Sequence, residues 1–380
     1  MQLTLFNDLE LFTLIVFSVF IAVSIIQLVY YWAIFARLAF YKIPQNSSVG
    51  KPPVSVVIAA HNEYHNLLKN LEPILNQDYP VFEVIVVNHA STDETKYYLE
   101  EMKGKYANLR TVQIDRDLNF FSGKKFPLSI GIKSAVNDIL ILTDADCVTT
   151  SSKWIDHIAS NYNNHSTEVV LGYGPYNKSK GFINLLIRYD TVMVATQYLS
   201  YALAGLPYMG VGRNLSYRKS LFIKNKGFTS HYTVQSGDDD LFINSVATKR
   251  NCRIDISPEG FMYSDAKNNF QDWFRQKIRH LSTGKIYKGK FKFLLGLFSI
   301  SQLLFFVAFI ILAINLDLPE IVFPVFLLRF ITQFFVNKKI TEKLQEDRLY
   351  LFSPLLEIFY IIIIPVFTLI SVTRKKVSWK

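Results

Sequence analysis

Between Leu11 and Ala36 the chain runs for 26 residues without a single charge. Coiled as a helix, such a run crosses a hydrocarbon core of about 30 Å, where every backbone polar group must be bonded within the segment itself. This excludes a purely soluble chain. A cleaved secretory leader fits poorly, because the preceding flank carries Asp8 and Glu10 with no Lys or Arg, and no small-residue cleavage pattern follows. Arg37, Lys42 and Lys51 come next, so the positive-inside rule places the following residues in the cytoplasm, at a plasma (inner) membrane.

A second uncharged run, Phe293 to Ile314, follows Arg279, Lys285, Lys288, Lys290 and Lys292, which hold its start on the cytoplasmic side. Ile321 to Val336 is shorter and carries Arg329; Leu349 to Thr373 contains Glu357, Pro354 and Pro365. If both span, the basic tail Arg374, Lys375, Lys376 and Lys380 ends outside, against the charge rule; otherwise one segment is re-entrant or interfacial. Two to three C-terminal transmembrane helices are therefore expected. Arg329 and Glu357 either pair with each other or snorkel to an interface.

Charged residues make up only 19% of the chain, against about 25% in ordinary soluble domains, and the apolar excess gathers at its two ends. The net charge of +10 suits nucleic acid, anionic lipid or phosphate-bearing molecules without choosing among them. Cys147 and Cys252 cannot build a disulfide framework and lack zinc-site spacing, which fits a reducing compartment.

The middle of the chain alternates short Val- and Ile-rich runs with helical patterns, as in a mostly parallel sheet flanked by helices. Val54 to Ala60, Phe82 to Asn88, Arg110 to Ile114 and Ile139 to Thr143 are the expected strands, with helices near 63–76, 92–103 and 126–136. The expected division is a first transmembrane helix and flank over 1–43, a linker over 44–53, a cytosolic domain over 54–269, an interfacial amphipathic helix over 270–290 and a membrane region over 291–380. Sheets of this kind bind ligands outside the carboxyl ends of their strands. There the sequence is polar: His61, Asn62 and Glu63 after the first strand, Asn88, His89, Ser91, Thr92 and Asp93 after the second, Asp144 and Asp146 after the fourth.

Asp144 and Asp146, two apart in extended geometry, point the same way and suit a hard cation such as Mg²⁺ or Mn²⁺ shared with substrate phosphates; a solvated strand end is the plainer reading. Ser236 to Leu241 (SGDDDL) opens a helical pattern. Its carboxylates either serve as a helix cap or, because mutual repulsion among three acids makes pure capping costly, include one whose raised pKa suits general-base work. Gln271 to Ile286 reads as an amphipathic helix at the membrane surface, with Gln276 and Arg279 on one face, placed either to fork onto departing phosphate oxygens or to meet lipid headgroups. Ser122-Gly123-Lys124-Lys125 is a phosphate contact or a flexible basic loop. Phe182 to Ala204 is too charged to span and is either an acceptor-site helix or an ordinary packing helix. Gly210 and Gly212 after it permit close approach to backbone.

The ordered set HNE, STD, DAD, GDDDL and QKIRH, over roughly residues 52–285, resembles the membrane-bound family 2 glycosyltransferases, which have a GT-A fold. The layout of membrane helices is similar to that of processive polysaccharide synthases and ceramide glucosyltransferases. The resemblance implies an inverting, metal-dependent transfer from a nucleotide sugar, UDP by preference, to a hydroxyl of a lipid-linked or glycan acceptor, without nucleic acid; the oligomeric state is left open. It implies a nucleotide site of His61, Asn62, Glu63, Asn88, Asp93, Lys124, Lys125 and Asp144, and a Mg²⁺ or Mn²⁺ site at Asp144 and Asp146. Alignment on Leu241 makes Asp238 the base, with Asp239 as the alternative, and Gln276 and Arg279 match a QxxRW element. His280 stands in place of its Trp, and Asn88-His89 stands where many relatives carry acids. Transfer to one lipid-embedded acceptor is favoured over polymer synthesis, which needs a longer export channel; a non-catalytic membrane scaffold is the remaining alternative.

Overall fold

The computed structural model describes residues 10–44, 50–115, 123–234 and 236–373. Asp8, part of the 44–53 linker, Ser122 and the basic tail Arg374, Lys375, Lys376 and Lys380 lie outside them. The chain divides into two units: residues up to Tyr41 with Lys288–Val366, and Lys42–Tyr287 with the residues from Phe367 onward.

The first unit is helical. α1 (Leu11–Val29) runs through a π-helical turn, Tyr30–Phe35, into α2 (Ala36–Ala39). Among the described residues, four helical stretches are long and apolar enough to cross a membrane: Leu11–Ala39, Gly289–Asn315, Pro319–Lys343 and Leu349–Ser371. All three C-terminal segments thus have the length of a span. Within this unit Arg329 and Glu357 pair directly, Nη2 to Oε1 at 2.5 Å, with both side chains buried. Gln27 and Gln333 join Arg329, while Gln302 and Gln333 donate to Glu357. Snorkelling is overturned: with no water at that depth, each charge is answered by the other and by amides.

The second unit is α/β. Its main sheet has the order β3-β2-β1-β4-β7-β6-β8. These strands are β1 (Val54–Ala60), β2 (Phe82–His89), β3 (Leu109–Ile114), β4 (Ile139–Asp144), β6 (Val169–Gly172), β7 (Leu215–Arg218) and β8 (Cys252–Asp255). A two-stranded ribbon joins β5 (Cys147–Val148) to β9 (Tyr263–Ser264). β3, β2, β1 and β4 are mutually parallel, and β7 runs antiparallel to both β4 and β6. The sheet is therefore mixed but mostly parallel. β1 is buried along its whole length, which explains its unbroken apolar reading.

α3 (Tyr64–Leu75), α4 (Thr95–Lys105), α5 (Lys125–Ser134) and α6 (Trp154–Ser160) flank the sheet. Gly131 of α5 faces β1 and β2 so closely that a Cβ there would sit 2.6 Å from Val57. α7 (Phe182–Leu203) is a packing helix buried on most of its turns, α8 (Lys219–Lys224) follows β7, and α9 (Asp240–Val246) begins inside the acidic motif. α9 stops at Val246, short of the DDLFINSVATK pattern, because Thr248 N–H turns onto the Asn251 side chain. α10 (Phe270–Leu281) also ends earlier than expected, passing into a single 3₁₀ turn at Gly284–Ile286. The three helices after it are α11 (Gly289–Asn315), α12 (Pro319–Lys343) and α13 (Leu349–Thr373).

Candidate active site

Register brings the polar loops together. Ala60 of β1 pairs with Asn88 of β2, and Ala59 pairs with Asp144 of β4, so the loops after these strands leave from one sheet edge. Asn62 takes a left-handed backbone, φ 57°, which suits Asn, and its side-chain oxygen accepts from Thr92 N–H. The Asn62 N–H donates to Ser91, His61 Nδ1 donates to the His89 carbonyl, and Glu63 N–H donates to Thr95. Asp93 closes the join by accepting from the N–H groups of Tyr64 and Thr95. Burial works to raise the Asp93 pKa, but these bonds outweigh it and hold the carboxyl below its usual value. HNE and STD therefore form one interlocked rim. Asn88 is turned inward, buried, with its amide donating to Gln113.

Asp144 ends β4, and Ala145-Asp146 is a turn rather than a continued strand, so the expected extended geometry is not what aligns the two acids. The turn still gathers them: ligand atoms of Asp144, Asp146 and Cys147 lie within 4.8 Å of one another. Solvent reaches Asp146, yet the protein packed around its carboxyl desolvates it, and Asp144 adds repulsion; both raise its pKa. Two crowded carboxylates with oxygen donors facing each other fit a hard divalent cation. Cys147 does not belong to that set, because burial pushes its thiol pKa well up and keeps it protonated.

Lys124 donates to Asp144. Burial opposes its charge, but Asp144 and then Asp238 more than compensate, so it stays cationic and links the DAD turn to the acidic motif. Lys125 does something else. Its Nζ donates to the carbonyls of His231 and Val234, each at 2.7 Å, and burial lowers its pKa to about 8. It anchors the loop leading to the acidic motif and leaves Asp144 to Lys124.

In that motif Gly237 has φ +98°, and a Cβ there would meet Leu241 at 2.5 Å, so glycine is required. Asp239 caps α9: its Oδ1 accepts from Asp240 N–H and its Oδ2 from Gly212 N–H, at 2.7 and 2.8 Å. Desolvation, then repulsion from Asp238 and Asp240, raises its pKa to about 8. Asp240 is buried and accepts from Thr283 and from Tyr287, the latter at 2.6 Å. On α10, Gln276 donates to the Tyr176 hydroxyl, and Arg279 lies near enough to Asp144 to help lower its pKa. His280 is exposed at the same end of the helix.

With this geometry in place, residues 55–225 match the family profile described as Glycosyl transferase family 2. Over that stretch the chain is similar to family 2 glycosyltransferases. It is 24% identical over 236 residues to the Probable glycosyltransferase YdaM of Bacillus subtilis, covering 60% of this chain and 54% of that one. It is 32% identical over 124 residues to the 4,4'-diaponeurosporenoate glycosyltransferase of Staphylococcus haemolyticus, covering 33% of this chain and 32% of that one. The chain spans about half the length, or less, of these curated relatives. A mannosyltransferase of Pyrobaculum calidifontis, PcManGT, solved with GDP-Man and Mn²⁺, shares the GT-A fold at a TM-score of 0.57 and 18% identity, covering 89% of this chain and all of that one.

Three features of this site are not legible in the sequence. Asp240 is tied to Thr283 and Tyr287 across more than forty residues, a pairing no local pattern announces. Tyr176 lies in an irregular segment after β6. Arg213, within the Gly-rich stretch Gly210 to Asn214, stacks over Tyr176 with its guanidinium carbon 4.1 Å from the ring centroid. A lone cation directly after Gly212 was the available signal for it.

Proposed function

We propose that the chain transfers a sugar, with inversion, from a nucleotide-sugar donor, UDP by preference, to a hydroxyl of a lipid-linked acceptor at the cytoplasmic face of the membrane. One observation carries the reading: the DAD turn, the acidic cap of α9 and the Gln276–Arg279 face of α10 address a single sheet edge, with Lys124 between the first two. The interlocked rim of His61, Asn62, Glu63 and Asp93 shapes the nucleoside end. Asp144 and Asp146 would hold Mg²⁺ or Mn²⁺, which would supply positive charge at the leaving diphosphate.

Asp239 is the better base on this geometry. Two backbone donors fix it, and its pKa of about 8 makes the ionised carboxylate a stronger base than an ordinary Asp, whereas the charge of Asp238 is answered by Lys124. Asp239 takes the acceptor hydroxyl's proton while the oxygen attacks the anomeric carbon. The bond from that carbon to the diphosphate breaks, its electron pair departs with the phosphate, and Gln276 and Arg279 answer the growing charge. Charge placement supports the orientation: Arg37 and Lys42 stand at the end of the first span, Lys338, Lys339 and Lys343 stand in the last two turns of α12 with Arg348 after it, and Asp317 and Glu320 stand around its start.

The test is a screen of radiolabelled UDP and GDP sugars against membrane lipid extract, with Mg²⁺, with Mn²⁺ and with chelator. A single labelled lipid product, lost with chelator, is expected. A ladder of lengthening products would overturn the single-transfer reading, and label transferred in the nucleotide half would overturn glycosyl transfer.

A further inference from the structure

Arg213 has a chemistry that the foregoing assignments leave unused. Its backbone is fixed, since Thr143, the residue before Asp144, donates its hydroxyl to the Arg213 carbonyl at 2.8 Å. That bond ties the Gly-rich stretch to the end of β4. The side chain lies flat on Tyr176, which is itself held by Gln276. On the other flank its Cβ and Nε pack close to Gly174, where an added Cβ would come within 3.2 Å. The guanidinium is thus clamped between a ring and a backbone, with little freedom to wander.

It is also unsatisfied. Nη1 is shielded from solvent and has no hydrogen-bond partner among the described residues. A shielded guanidinium donor without an acceptor is costly, and a planar fork of donors matches a phosphate oxygen pair. The charge of Arg213 reaches both Asp144 and Asp146 and favours their ionised forms, so it borders the cation site, while Tyr176 beneath it connects to Gln276.

We propose that Arg213 is a binding residue for the β-phosphate of the donor and of the nucleoside diphosphate product, the group that lies between the Asp144–Asp146 turn and the α10 face. This rests on the proposed function above, and adds a second guanidinium to Arg279 at the leaving group. Arg213 acts as a fixed donor, its orientation set by Tyr176 and Thr143 before any nucleotide arrives, so little side-chain entropy is lost on binding.

The test compares UDP with UMP, and GDP with GMP, binding to the full-length chain in nanodiscs with Mn²⁺, for wild type, Arg213→Gln and Arg213→Lys, with thermal unfolding of each. Wild type should bind at least one diphosphate more tightly than its monophosphate. Arg213→Gln should weaken the diphosphate by about tenfold or more, as expected for loss of a charge-assisted hydrogen bond, while leaving the monophosphate within about twofold. Arg213→Lys, which keeps the charge but loses the fork, should fall between and serves as the readout if the glutamine variant does not fold. Equal losses for di- and monophosphate would make Arg213 a structural support and overturn the proposal, as would an unchanged preference. If wild type binds no nucleotide at all, the proposed function fails rather than this assignment alone.

Discussion

Asp239 is held by two backbone donors and crowded by two acids, a combination that fixes its position and weakens its acidity together. Asp239→Asn should lower kcat by about 10²–10⁴, the range for loss of a general base, and Asp238→Asn should cost less. Below a pH of about 8 the Asp239 carboxyl is protonated and cannot accept the hydroxyl proton. In steady-state assays kcat/KM should therefore rise with pH through about 8 and level off above it, and the rise should vanish in Asp239→Asn. The same shift acts on stability in the opposite sense. The folded chain keeps this proton up to about 8 while the unfolded chain releases it near 3.8, so the contribution is full below 3.8 and is lost as pH rises through 8. The acidity of this motif was legible as three adjacent carboxylates, but which of them caps the helix was not. That choice is made by Gly212, a residue 27 positions away.

Among the elements, α10 carries Gln276 and Arg279 and is tied to α7 through Lys277 and Asp190, a buried pair 2.5 Å apart. Lys277→Met should strand the Asp190 carboxylate and cost about 3–5 kcal/mol, measured as denaturant stability of the α/β unit in the full chain. The double variant Lys277→Met with Asp190→Leu should recover most of that loss, yet raise KM for the donor if α10 loses its setting. The α7 pattern showed its charges but not their partner, since Asp190 and Lys277 stand 87 residues apart. The parallel strands β1, β2 and β4 were readable because burial on both faces leaves them mostly apolar. β7 was not: Leu215–Arg218 has four residues, two of them polar or charged, and its antiparallel sense comes from pairing with β4 and β6. The DAD turn shows the same limit, as the two acids were found but their geometry comes from the ribbon of β5 with β9 that follows.

At the scale of the whole molecule, the uncharged runs marked the spans, and Arg329 and Glu357 marked an internal polar cluster whose outcome only packing could decide. Glu357→Ala should leave Arg329 buried without its anion and lower the stability of the helical unit by about 3–5 kcal/mol, read as its unfolding midpoint in detergent. Arg329→Met with Glu357→Leu should be far milder. Gln27 of α1 donates to the Phe298 carbonyl of α11, a partner 271 residues further along. At 5–20 residues per second, a ribosome needs on the order of half a minute to produce that partner. During biosynthesis, then, the first helix waits with its amide unanswered while the α/β unit is made and folds, and the helical unit is completed last.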